Sequence, residues 1–425
     1  MKGPADGGGR PPETGQTPMA ERNERSRADA CAGRGGRPLR VLHVVPTYLP
    51  ATRYGGPIVS VHGLCKALAA RGHDVHVYTT NVDGGGVSDV ELERPVDVDG
   101  VKAWYFPTGL GRRLYRSPTM GVALERSTAT FDVIHLHSVF LWPTTAAARL
   151  ARKRRVPYVL CPRGMLVEDL IRRKSRWLKS TWIAAFERAN IAGAASLHFT
   201  AEIEAEEFRR LGFNAMRVDI VANGVEAPGK SALGAATQAS TGARPRVLSL
   251  GRVNWKKGLD RLICAMAYVP SAELVIAGND EEGYQPKLER LAANVGVADR
   301  TVFVGPVYGD RKWEFIRSCD VFAMASRSEN FGIAALEAMA CGRAVVATPE
   351  VGLARTIEES GAGLVAEGDP QSFGRALASV LADANLREAM GRLGARVAAA
   401  EFSWGGVAER VESIYRECVD LARCA

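Results

Sequence analysis

Two successive α/β domains, each a doubly wound parallel sheet, are the fold class that this 425-residue sequence predicts. Three observations carry that prediction. Short apolar runs of strand length alternate with helical patterns, which implies right-handed βαβ units and parallel sheets. The alternation stops in a Gly-, Ser-, Ala- and Thr-rich stretch between Glu226 and Pro245 and then restarts. The length suits two domains of roughly 100–200 residues each. Two such domains joined by one linker leave a cleft between them.

The elements follow in order. Residues 1–38 are rich in Gly, Pro and Arg, lack periodicity and read as a disordered tail. An N-terminal domain spans 39–226, with strands expected at 41–45, 74–80, 101–106, 132–137, 158–161, 196–200 and 219–222. Its helices are expected at 59–70, ending at Arg71-Gly72, and at 144–153. Residues 227–245 form the linker. A C-terminal domain spans 246–403, with strands at 247–250, 274–277, 301–304, 321–325, 344–347 and 363–365 and helices at 258–266, 284–295 and 312–318. A last helical run over 404–425 is placed to pack back on the N-terminal domain.

Composition narrows the function classes. No apolar run approaches the ~20 residues that span a bilayer, and no apolar signal-peptide core is visible near the start. The eight cysteines form neither a C-x-x-C pair nor a zinc spacing, so the reading is reduced thiols and no metal site. The net charge is +8, and between Arg149 and Arg188 twelve Lys/Arg stand against three acids, so this one segment accounts for the excess. Such a patch suits an anionic surface or substrate, or else a solvated helical face. No nucleic-acid motif accompanies it.

The chemistry-bearing motifs sit at strand–helix junctions, where open α/β sheets bind ligands. Glu329 and Glu337 lie in S-R-S-E-N-F-G-I-A-A-L-E-A-M-A-C-G, the first on a loop leaving a strand and the second inside the following helix. A carboxylate among Ala, Leu and Met is costly to bury without donors. Ligand hydroxyls would serve, and a solvated helix edge is the alternative. The loop N–H groups at Phe331, Gly332 and Ile333 favour an anion. Arg252 and Lys257 flank the turn after the first strand of the second domain, where two cations suit a diphosphate. Tyr54-Gly55-Gly56-Pro57 is either a tight turn or a close approach to ligand. His135 and His137 end a strand on one face. One can meet substrate, while a core histidine is the alternative for the other. Asp97-Val98-Asp99 reads as a turn ending in Gly100, not as a metal motif.

Together these motifs resemble the family 4, retaining, GT-B-fold glycosyltransferases over nearly everything from Arg40 onward. The most specific part is E-N-F-G-I-A-A-L-E, which matches that family's E-x₇-E pattern. The glycine loop, the strand-end H-x-H and V-A-N-G-V at 221–225 fit its first domain. The resemblance implies that Arg252 and Lys257 hold the donor diphosphate, while Glu337 accepts bonds from the ribose. Glu329, with the N–H groups of Asn330, Phe331 and Gly332, would bind the donor sugar. Val307 would lie near the base, Gly55 and Gly56 near the diphosphate, and His137, or second His135, at the donor sugar. C-P-R-G-M-L, with Arg163, and the basic run 172–179 with Trp177 and Trp182 resemble the exopolysaccharide and capsule branch. That branch implies a polyprenyl-linked or glycan acceptor, no cofactor besides the nucleotide-sugar donor, and a cytoplasmic enzyme docked on the anionic inner membrane face. A nucleotide-sugar epimerase on a similar fold and a non-catalytic sugar-binding scaffold are the competing readings.

Overall fold

The computed structural model describes residues 37–51, 53, 55–166, 181–226, 244–280 and 282–424. Most of the expected tail, most of the expected linker and the 172–179 run with Trp177 lie outside these residues.

The first sheet has eight strands. They are β1 (Arg40–Val44), β2 (Asp74–Thr80), β5 (Pro95–Val98), β6 (Val101–Phe106), β7 (Val133–His137), β8 (Tyr158–Cys161), β9 (Ser196–Phe199) and β10 (Val218–Ile220). Their order is β10-β9-β8-β7-β1-β2-β6-β5. β1 lies in parallel between β2 and β7, with Val44 beside Tyr78 on one side and Leu136 on the other. β7, Val-Ile-His-Leu-His, is buried along its whole length, as a parallel strand covered on both faces should be. Two short strands, β3 (Val82–Asp83) and β4 (Gly86–Val87), form a separate hairpin.

The second sheet has six strands, all parallel. They are β11 (Arg246–Leu250), β12 (Glu273–Ala277), β13 (Thr301–Gly305), β14 (Val321–Met324), β15 (Ala344–Ala347) and β16 (Gly363–Val365). Their order is β13-β12-β11-β14-β15-β16. Every strand read from the sequence occurs, within a residue or two at its ends.

One expectation needs correcting. Asp97 and Val98 belong to β5, which pairs antiparallel with β6 at the sheet edge. Only Asp99 (φ 55°) and Gly100 (φ 81°) make the turn, and Asp97 Oδ1 accepts the Gly100 N–H at 3.2 Å. Asp99 pairs with His62 and Lys66. The alternating exposure of β5 was masked in the sequence by Pro95 and Asp97.

Helices fill the sheet faces. Those that position the site are α1 (Gly56–Ala70), α2 (Glu202–Arg210), α3 (Gly309–Ser318), α4 (Ile333–Ala340) and α5 (Trp404–Cys424). α5 returns to the first sheet. Its Val407, Val411, Ile414, Tyr415 and Cys418 pack with Val61, Leu64 and Leu68 of α1 in one core cluster. Trp404 fills the space over Gly63 and Gly224, and a Cβ at either position would overlap its indole. No helix among the described residues is long and apolar enough to cross a membrane.

Candidate active site

The site lies where the C-terminal ends of both sheets meet. In the second half, the chain leaves β14, passes through Glu329 and enters α4. The backbone of Glu329 is pinned on both sides. Its N–H donates to Glu350 O at 3.1 Å and its carbonyl accepts from Gly352 N–H at 2.9 Å. Gly332 then turns with φ 102°, and a Cβ there would sit 2.9 Å from Val351 Cγ1. Only glycine fits both the conformation and the space. No described residue accepts a hydrogen bond from the backbone N–H of Asn330, Phe331, Gly332 or Ile333. This is a cradle of free donors at a helix start, suited to oxygen atoms carrying negative charge.

Two ion pairs frame the cradle. Lys257 Nζ contacts Glu329 Oε2. Lys257 sits on a short turn over Trp255–Lys257, capped by Asn254, whose Oδ1 accepts the Lys256 N–H at 3.1 Å. Gly251 leaves room for it, since a Cβ there would lie 3.0 Å from Lys257 Cε. The second pair joins Lys312 Nζ of α3 to Glu337 Oε1 of α4 at 2.6 Å. Glu337 is only 6 % exposed. Burial pushes its carboxyl above the usual carboxylate range, and the Lys312 ammonium opposes that rise. Arg252 is exposed and makes no ion pair or hydrogen bond to any described residue. Val307 is buried among Phe322, Leu336 and Met339, just after β13.

The first half meets this wall through glycines. Gly55 (φ 73°) and Gly56 open α1, and a Cβ on Gly56 would lie 3.0 Å from Ile333 Cδ1. The starts of α1 and α4 therefore abut, and their positive ends reinforce each other. Gly164 meets Asn330 in the same way, with a Cβ there 2.9 Å from the Asn330 Cβ.

The histidines differ from expectation. His135 is 0 % and His137 2 % exposed, so neither ring is open to the cleft. They share one sheet face, with ring centroids 4.2 Å apart, but α5 covers that face. His135 Nδ1 lies 2.7 Å from Tyr415 Oη and His135 Nε2 lies 3.3 Å from His198 Nδ1. His137 Nδ1 accepts from Arg163, and His137 Nε2 lies 3.0 Å from His43 Nδ1. The donors fix the tautomers. Arg163 can only donate, so His137 carries its proton on Nε2 and gives it to His43 Nδ1. His198 Nε2 donates to Val221 O at 2.8 Å, so His135 Nε2 donates to His198. Burial drives all four below the usual value, His43 to about 3 and His198 to about 4, and the Arg163 charge adds to the shift. His43, His135 and His137 bring ligand-type atoms within 4.8 Å of one another, as do His135, Cys161 and His198. These nitrogens are engaged in the hydrogen-bonded chain, except His43 Nε2, which has no partner among the described residues.

Arg163 adopts φ 57° and donates to neutral acceptors, among them Ser60 Oγ at 3.2 Å, Asn223 Oδ1 at 2.8 Å and His137 Nδ1. Lys312 and the His43–His198 chain were missed in the sequence. Lys312 was legible in one respect, because a buried Glu337 demands a donor, but its place in a charged helix hid it.

Two largely parallel sheets whose carboxyl ends face each other define the GT-B architecture. Residues 55–224 match the family profile "Glycosyl transferase 4-like domain" and residues 236–397 match "Glycosyl transferases group 1". A D-inositol 3-phosphate glycosyltransferase of Jonesia denitrificans is 30% identical over 410 residues, covering 88% of this chain and 94% of the relative. The enzyme of the same name from Xylanimonas cellulosilytica is 29% identical over 401 residues, covering 88% and 95%. Among solved structures, sucrose-phosphate synthase from Thermosynechococcus elongatus aligns with TM-score 0.73 at 21% identity, covering 90% of this chain and all of that one. Anabaena HepE in complex with UDP and glucose aligns with TM-score 0.69 at 17% identity, covering 89% and 100%. The chain belongs to the family 4 glycosyltransferases of the GT-B fold.

Proposed function

We propose that the enzyme transfers a sugar, with retention, from a nucleoside-diphosphate sugar to an acceptor hydroxyl. The observation that carries this reading is the set of unpaired N–H groups at 330–333, framed by Lys257–Glu329 and Lys312–Glu337. In this reading Arg252 and Lys257 bind the diphosphate. Glu329 and the N–H groups of Asn330, Phe331 and Gly332 hold the donor sugar. Glu337 takes the ribose, Val307 borders the base, and Gly55 and Gly56 approach the diphosphate from the other side. His137 shapes the wall behind Arg163. Positive charge fixed at the diphosphate stabilises the departing nucleotide without a metal or cofactor. The acceptor hydroxyl attacks on the face the diphosphate leaves and passes its proton to that phosphate. Screening UDP-, GDP- and ADP-sugars for thermal stabilisation and slow donor hydrolysis tests the reading, and no response to any of them would refute it.

The acceptor in this proposal is a polyprenyl-linked or glycan hydroxyl in surface polysaccharide synthesis, with the basic 149–188 segment against an anionic membrane face. A second acceptor class is favoured by Arg163, a half-buried cation in the cleft with no carboxylate partner among the described residues. Such a cation suits a small phosphorylated acceptor, and relatives carry inositol 3-phosphate in their names. Transfer assays offering inositol 3-phosphate and a prenyl-diphosphate sugar side by side separate the two.

A further inference from the structure

The geometry points to Lys312 as a positioning residue that keeps Glu337 ionised and correctly turned for the donor's ribose. This rests on the ribose reading of Glu337. Glu337 stands in an apolar helix, I-A-A-L-E-A-M-A, and its neighbours Leu336, Ala338 and Met339 are fully enclosed. Alone there, it would favour the protonated acid. A protonated acid keeps one oxygen as a donor and can no longer accept freely at both oxygens. Lys312 reaches it from a different helix and binds Oε1 at 2.6 Å. Oε2 has no partner among the described residues, yet it is not sealed from solvent. The carboxylate is thus divided: one oxygen is anchored to Lys312 and the other is left open to accept. Lys312 is itself held, with its ammonium 4.4 Å from the Trp313 ring centroid and its side chain only 18% exposed. It acts through Glu337, because its ammonium is spent on Oε1.

The test is a double-mutant cycle read in nucleotide binding. The probe is whichever of UDP, GDP and ADP binds the wild-type protein, paired with its 2′-deoxy counterpart. The wild type is expected to prefer the ribose form by about ten- to a hundredfold, as for a hydrogen bond to a charged group. Lys312→Met is expected to lose most of that preference, chiefly by weakening the ribose form. Its residual affinity should rise with pH, as Glu337 ionises through a raised pKa. Lys312→Arg should keep most of the preference. In the Glu337→Gln background, whose neutral amide needs no counter-ion, Lys312→Met should cost little further affinity. Where the single Lys312→Met variant folds poorly, Lys312→Gln takes its place in the cycle, with the same outcomes expected. An unchanged ribose preference in Lys312→Met would overturn the assignment. So would an equal loss with and without Glu337→Gln, which would mean that Lys312 touches the ligand directly. A wild type that binds none of the three nucleotides would bring down the donor reading itself, and this inference with it.

Discussion

Asn330 Nδ2 donates a 2.7 Å hydrogen bond to Thr200 Oγ1, tying the loop after β14 to the end of β9 in the other sheet. The bond has a direction. The Thr200 hydroxyl in turn donates to Glu204 Oε2 at 3.3 Å, and that carboxylate also takes the N–H of Thr200 at 3.0 Å and of Gly164 at 2.6 Å. Glu204 is buried, which raises its pKa against the pull of those donors. Thr200→Val removes the hydroxyl from the middle of this chain. It should lower stability by about 1–3 kcal/mol through unsatisfied buried groups, while Thr200→Ser should be nearly neutral. Denaturant titration of both variants decides the matter, and equal midpoints would show that the link contributes nothing.

Lys257→Ala should reduce kcat for transfer by about 10²–10³, the range for removing one preorganised charge from a leaving-group site. The same change leaves Glu329 without its cation, so a weaker donor KM should accompany it. Steady-state kinetics with the active donor would separate the two effects.

Transfer should be insensitive to EDTA, because protein cations and helix N–H groups hold the diphosphate charge in the proposed mechanism. An assay with and without chelator, after passage over a metal-scavenging resin, checks this. Loss of rate restored by a divalent ion would assign the charge to a metal instead.

The histidine chain makes stability depend on pH with a definite sign. His43 and His198 titrate near 6.5 when unfolded and at about 3 and about 4 in the native protein. Between those values the unfolded chain binds more protons, so acid favours unfolding. Stability should be full above about pH 6.5 and fall as pH drops toward 4. Urea midpoints measured from pH 7.5 to 5 should decline, and a flat profile would contradict the buried neutral state of these rings.

Gly63→Ala should force Trp404 out of its slot, since a methyl at 63 overlaps the indole. Overpacking of this kind costs about 1–3 kcal/mol. A drop in melting temperature with a red-shifted tryptophan emission is the expected signature.

The sequence made the parallel strands legible because each is a short apolar run with a turn signal at its end. The edge strand β5 escaped notice because an edge need be apolar on one side only. The Glu329–Glu337 and Arg252–Lys257 pairs could be placed because strand–loop–helix order alone puts them at a sheet's carboxyl end. His135 could not be judged the same way. Its alternation along β7 was read correctly, but the face it shares with His137 is closed by Tyr415, 280 residues later in the chain. Lys312 posed a similar problem, because its partner lies 25 residues away on another helix. Contacts of that span depend on tertiary packing that no local pattern announces.

The return of α5 to the first sheet has a topological result. The chain passes from one half to the other after Val225 and comes back just before Trp404. These two passages touch, with Val225 N–H donating to Phe402 O at 2.8 Å and Val225 bridged to Ser403. The halves are thus stitched twice at one place. A change at Val225 or at Ser403 therefore bears on both crossings at once.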